Sequence, residues 1–128
     1  MQPKIIFDKN TNDGGTHFCA YLNHPYSFEE AVARIYALCD YNIFEEGDED
    51  KLSFQASGIF NNEVFTLYDW KENCTVHIGG RANLDAQSLE KYLLKIAAKH
   101  ANIYNSQFKS HLQIIRKLSI FKKHCCDL

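Results

Sequence analysis

The sequence predicts an α+β domain: a small antiparallel sheet, led by a three-strand meander over residues 51–79, packed by a helix over 27–41 and by one or two C-terminal helices. Three observations carry this. Residues 51–60 alternate apolar Leu52, Phe54 and Ala56 with polar Ser53, Gln55 and Ser57, the period of a half-buried strand. Phe28, Val32, Ile35, Tyr36 and Cys39 recur at three- and four-residue steps, the period of a helix with one apolar stripe. Leu89, Tyr92, Leu93, Ile96 and Ala97 repeat that stripe, and Phe108, Leu112, Ile115, Leu118 and Ile120 or Phe121 draw another.

Taken in order, residues 4–7 are a short apolar run, 8–15 are dense in turn formers, and 16–22 read as a strand, so an N-terminal hairpin is an option for the two runs. Ser27 with Glu30 three residues on forms a capping box that starts the first helix. Glu45-Glu46-Gly47-Asp48-Glu49-Asp50 is a solvated acidic loop, without the alternate-ligand spacing of a calcium loop. Asn61-Asn62 suits the positive φ angles of a tight hairpin, after which 64–71 returns as a second strand. Glu72-Asn73 turns the chain into a third strand over 74–78, and Gly79-Gly80-Arg81-Ala82-Asn83 breaks the pattern. Asn83 or Asp85 caps the next helix. Asn102 and Asn105 favour a break within 84–123, yet no Gly or Pro enforces one, so one long helix and two helices both stay open.

The 128 residues fit a single domain, 1–128, and 45% hydrophobic with 23% charged residues excludes a disordered or low-complexity chain. No apolar run approaches the ~20 residues of a membrane span, and the first one is too short for a secretory signal, so an intracellular, cytoplasmic protein is expected. On that ground Cys19, Cys39, Cys74, Cys125 and Cys126 are read as five reduced thiols, and the acceptor pattern Asn73-Cys74-Thr75 is discounted. Neither cysteines nor histidines have zinc-ligand spacing, so no metal or cofactor is expected.

Charge is divided unevenly. Residues 1–84 carry six basic and thirteen acidic side chains, residues 85–128 eight and three. A basic helix can face nucleic acid or a membrane surface, but no aromatic side chains interleave with Lys109, Arg116, Lys117 and Lys123, and nucleic-acid binding is not expected. The favoured partner of that helix is the acidic remainder of its own domain or of a twin subunit, so a homo-oligomer is an option. Lys122-Lys123-His124-Cys125-Cys126-Asp127-Leu128 resembles a prenyl acceptor except at Asp127, where an aliphatic residue belongs, and is read as a basic tail.

Recognising side chains concentrate in Tyr68, Asp69, Lys71, His77, Gly79, Gly80 and Arg81. Strand alternation puts Tyr68 and Trp70 on one face and Asp69 and Lys71 on the other. Depending on the turn, His77 falls opposite Tyr68 or opposite Asp69, and the second register would orient an imidazole with a carboxylate. Gly79-Gly80-Arg81 before a helix could form an anion-binding nest, with Arg81 forking onto a phosphate or carboxylate and Tyr68 or Trp70 stacking on a nucleotide base.

Phe65-Thr66-Leu67-Tyr68-Asp69-Trp70-Lys71 followed by His77-Ile78-Gly79-Gly80 resembles a pattern in small accessory proteins of tailed bacteriophages, over residues 52–95, with Val76 where those carry Trp and a shorter connection between the strands. The resemblance implies a viral or mobile-element accessory protein that binds or sequesters a host factor. The expected function is therefore non-catalytic binding of an anionic, nucleotide-like small molecule or a host protein. The alternatives are a small enzyme using His77 with Asp69 or Tyr68, and a nucleic-acid or membrane-surface binder using the basic helix.

Overall fold

A computed structural model of the chain describes residues 4–44, 54–70 and 74–103. Asn61 and Asn62 both take left-handed backbone, φ 49° and 70°, and their turn joins β3 (Gln55–Phe60) to β4 (Glu63–Tyr68). Two positive φ angles match the right-handed twist of the strands they connect, and asparagine tolerates them better than other side chains. β5 (His77–Gly80) pairs with the other side of β4, so the expected meander is present. It starts later than the sequence suggests: Cys74 has φ 58°, and Gly79 and Gly80 continue the strand instead of breaking it.

Two further strands complete a five-stranded antiparallel sheet, β1 (Ile5–Phe7) and β2 (His17–Tyr21), in the order β1-β3-β4-β5-β2. The N-terminal hairpin is therefore not formed: β1 pairs with β3, Ile5 opposite Phe60, and β2 pairs with β5, His17 opposite Gly80. The intervening connection is too long for a tight hairpin, which closes in about two to five residues. Crossing four strand spacings needs about 19 Å, and nine residues reach about 30 Å, so the connection can span the sheet from one edge to the other.

α1 (Phe28–Leu38) opens on Ser27, whose hydroxyl accepts the Glu30 N–H at 3.2 Å, and buries Phe28, Ala31, Val32, Ala33 and Ile35. It ends three residues before the expected bound at 41. Tyr41 is drawn instead to the edge of the sheet beyond the end of β1, where its hydroxyl accepts the Ser57 N–H at 3.0 Å and donates to the Ser57 carbonyl at 3.1 Å. The Gln55 N–H then donates to the Ile43 carbonyl at 2.9 Å, so residues 41–43 satisfy part of the β3 edge that β1 leaves uncovered. α2 (Ala86–Ile103) is capped by Asp85, which accepts the Ser88 N–H and hydroxyl at 3.1 and 2.7 Å.

Both helices cover one face of the sheet. Phe28 of α1 packs on Phe54, Tyr92 of α2 on Phe60, and Phe54, Ala56, Phe60, Phe65, Leu67, Val76 and Ile78 are buried between them. No described helix is long and apolar enough to cross a membrane. The acidic loop 45–50, Lys71, the stretch after 103 on which the choice between one C-terminal helix and two turns, and the tail lie outside the described residues. One expectation is overturned: Cys74 is disulfide-bonded, while among the described residues Cys19 and Cys39 are free thiols. An odd cysteine count does not exclude one pair, and no spacing in the sequence says which thiols the fold brings together.

Candidate functional site

The face of the sheet turned away from the helices carries Gln55, Thr66, Tyr68, His77 and Gly79, one from each alternate position of β3, β4 and β5. Edge strand β2 adds two aromatic rings that simple alternation would separate. A β-bulge around Cys19 shifts the register between Phe18, opposite Gly79, and Ala20, opposite Ile78. The extra residue brings Phe18 and Tyr21, three apart, to the same side, 5.0 Å between ring centroids. With Thr16, His17 and Trp70 they line a hollow of about 460 Å³.

His77 is the hub of this hollow. Phe18, Tyr21 and Tyr68 meet its ring edge-on at centroid separations of 5.4, 5.0 and 5.2 Å, and it is 7% exposed. Burial favours the neutral imidazole and holds its pKa below the ordinary 6.5, against the opposite pull of the Asp69 charge, which favours the imidazolium. Nε2 lies 3.1 Å from the Thr75 hydroxyl. Burial, with Cys19 nearby, raises the Tyr68 phenol. The observed register sets His77 opposite Tyr68, and Asp69 sits on the helix side of the sheet, 1% exposed, accepting the Phe54 N–H at 3.4 Å. The register that would have matched imidazole with carboxylate is not the one adopted.

Gly79 and Gly80 do not form an anion nest. Both are ladder residues of β5, paired with Thr66 and Phe65, and their role is to lack a side chain. A Cβ on Gly79 would come 2.5 Å from Thr66 Oγ1 and 3.1 Å from Tyr68, filling the floor of the hollow; one on Gly80 would run into Leu84 on the helix side. Arg81 is committed to the protein itself. Nε donates to the Gly14 carbonyl at 3.0 Å, and Nη2 to the carbonyls of Asn12 and Gly14 at 2.9 and 2.7 Å. With Gln55 Nε2 donating to Asp13 Oδ2 at 2.8 Å, this holds the 8–16 connection over the open face, where Ser57 and Thr66 are accordingly buried.

Of the seven sequence-derived candidates, Tyr68, His77 and Gly79 thus come together, Asp69 and Gly80 face the core, Arg81 clamps the crossing connection, and Lys71 is outside the described residues. Phe18, Tyr21, Gln55 and Thr66 were not singled out by sequence reasoning. The β3–β4 hairpin places Gln55 opposite Tyr68 and so makes Gln55 findable, but nothing in residues 16–22 marks the bulge. Among the described residues the lining contains no lysine, arginine, aspartate or glutamate. No family model, curated protein or solved structure matches this chain. The chemistry of the hollow itself, an aromatic wall with an uncharged polar fringe, is what speaks to function.

Proposed function

We propose that this chain is a small non-catalytic binding protein that receives a flat, uncharged ring, such as a nucleobase, on the open face of its sheet. The supporting observation is the aromatic lining around His77: Phe18, Tyr21 and Trp70 are 46, 49 and 41% exposed and offer ring faces to a ligand, while Gln55, Thr66 and His17 supply polar groups at the fringe. An anionic group draws no support from Gly79, Gly80 or Arg81, whose geometry serves the ladder and the clamp. The setting in a virus or mobile element, the sequestration of a host compound and the cytoplasmic location rest on the sequence reading alone. Binding of a protein to the same exposed rings, either a host protein or a second copy of the chain, is the competing reading.

Trp70 is the single tryptophan, so its emission reports directly on the hollow. Titration with adenine and with uracil should change that emission saturably, and Tyr21→Ala should weaken binding about tenfold, as expected when a stacked base loses about 1–3 kcal/mol. Emission unchanged by either base, or affinity unchanged in Tyr21→Ala, refutes ring binding at this site.

A further inference from the structure

Gln55 stands between two hollows. On one side is the aromatic hollow; on the other is a smaller one of about 220 Å³, lined by Lys9, Thr11, Asp13, Tyr41, Asn42 and Ser57 together with Gln55 itself. The partition is the Gln55–Asp13 hydrogen bond, made by the side chains alone. The second hollow is polar, and several of its atoms are already engaged: the Tyr41 hydroxyl with the Ser57 backbone, Asn42 Oδ1 with the Phe44 N–H at 2.9 Å, and the Thr11 hydroxyl with the Asp8 carbonyl at 2.7 Å. What they leave over is a mixed set: Asp13 Oδ1 and the Thr11 oxygen as acceptors and the Asn42 amide N–H groups as donors.

That set matches hydroxyl groups, which donate and accept at once. A phosphate accepts only, and here it would lie beside the Asp13 carboxylate, whose charge offsets the one lysine in the lining. We infer that the two hollows form one site for a nucleoside: the base lies against Phe18, Tyr21 and Trp70, and the sugar crosses Gln55 so that its hydroxyls reach Asp13, Asn42 and Thr11. Combined, the two hollows are of the size of small-molecule sites, roughly 300–1,000 Å³. This assignment rests on the ring-binding reading above and names the ligand class that the reading leaves open.

Calorimetric titration of the intact chain with adenine, adenosine and adenosine 5′-monophosphate, and with uracil, uridine and uridine 5′-monophosphate, tests it. In at least one series the nucleoside should bind about tenfold tighter than its base, from one or two added hydrogen bonds, and the monophosphate no tighter than the nucleoside. Asp13→Asn keeps an acceptor for Gln55 but removes the carboxylate; it should bring the nucleoside down toward the affinity of the base and leave the base unchanged. Binding of the base shows that this variant is folded, and Thr11→Val, on the same rim, should act in the same direction. Equal affinity of base and nucleoside in both series overturns the two-part site while ring binding stands. A monophosphate that binds tenfold tighter than its nucleoside overturns the charge argument and with it the assignment. If no base and no nucleoside binds, both readings fail.

Discussion

His77 shows how one side chain ties the candidate site to the stability of the domain. Its imidazole is buried among three rings and kept below its ordinary pKa of 6.5 by loss of water. A group that takes up its proton less readily folded than unfolded contributes fully above pH 6.5 and loses that contribution as the pH falls from 6.5 towards the folded value. His24, stacked on Tyr26, is lowered by burial as well and adds to the same decline. We therefore expect the thermal midpoint to fall between about pH 7.5 and about pH 5, and to fall less in His77→Gln, whose side chain does not titrate. Parallel pH profiles for wild type and variant would remove His77 from the account. The Cys39 thiol and the Tyr41 phenol, both pushed up to about 12 by burial, stay neutral throughout this range and leave the prediction unaltered.

The crossing connection is the element on which the site depends. Beyond the Asp8 N–H, which donates to the Ser57 carbonyl at 3.0 Å, side chains of the sheet hold it through the Arg81 guanidinium, with three hydrogen bonds, and the Gln55 amide. Arg81→Ala leaves the Asn12 and Gly14 carbonyls to water and should loosen the connection without touching the core, at a cost of about 1–3 kcal/mol when charged hydrogen bonds are lost. Hydrogen exchange at residues 12–16 should accelerate while β4 and β5 stay protected; unchanged exchange there would mean that the clamp holds nothing. Lysine is no substitute, because a single ammonium cannot reproduce the fork onto two carbonyls. These elements also explain how far the sequence could be read. The β3–β4 hairpin and α1 announce themselves through Asn61-Asn62 and Ser27 because their chemistry is local. The pairing of β1 with β3 and of β2 with β5 depends on partners more than fifty residues away, and the bulge at Cys19 is visible only once that pairing exists. So Tyr68 and His77 are legible in the sequence and Phe18 and Tyr21 are not, while Arg81 stands out as a fork for an anion and the fold turns that fork onto the carbonyls of Asn12 and Gly14.

At the scale of the whole molecule, the sheet separates the described residues into a helix-covered side that holds the core and an opposite side that carries the candidate site. The oxidation state of Cys74 bears on the candidate site, since Cys74 leads into β5 through Thr75, whose hydroxyl lies against His77 Nε2. Thiol titration of the unfolded chain should find at least two fewer reactive groups before reduction than after it, because one disulfide consumes two of the five cysteines. Identical counts would mean that Cys74 is a thiol in the isolated protein, as a reducing compartment would keep it.

The placement of β1 and β2 at opposite edges has a consequence for how the domain is born. Both outer strands come from the first 21 residues, yet the strands they pair with appear only by residues 60 and 80. At a synthesis rate of about 5–20 residues per second, β2 waits roughly 3–12 s on the ribosome before β5 exists to receive it. During that interval Phe18 and Tyr21 have no sheet to join, and the low-separation β3–β4 hairpin is the natural nucleus on which the N-terminal segment later closes from both sides. Among the described strands, the aromatic hollow is thus completed late, when an early-made segment meets a strand made some sixty residues after it.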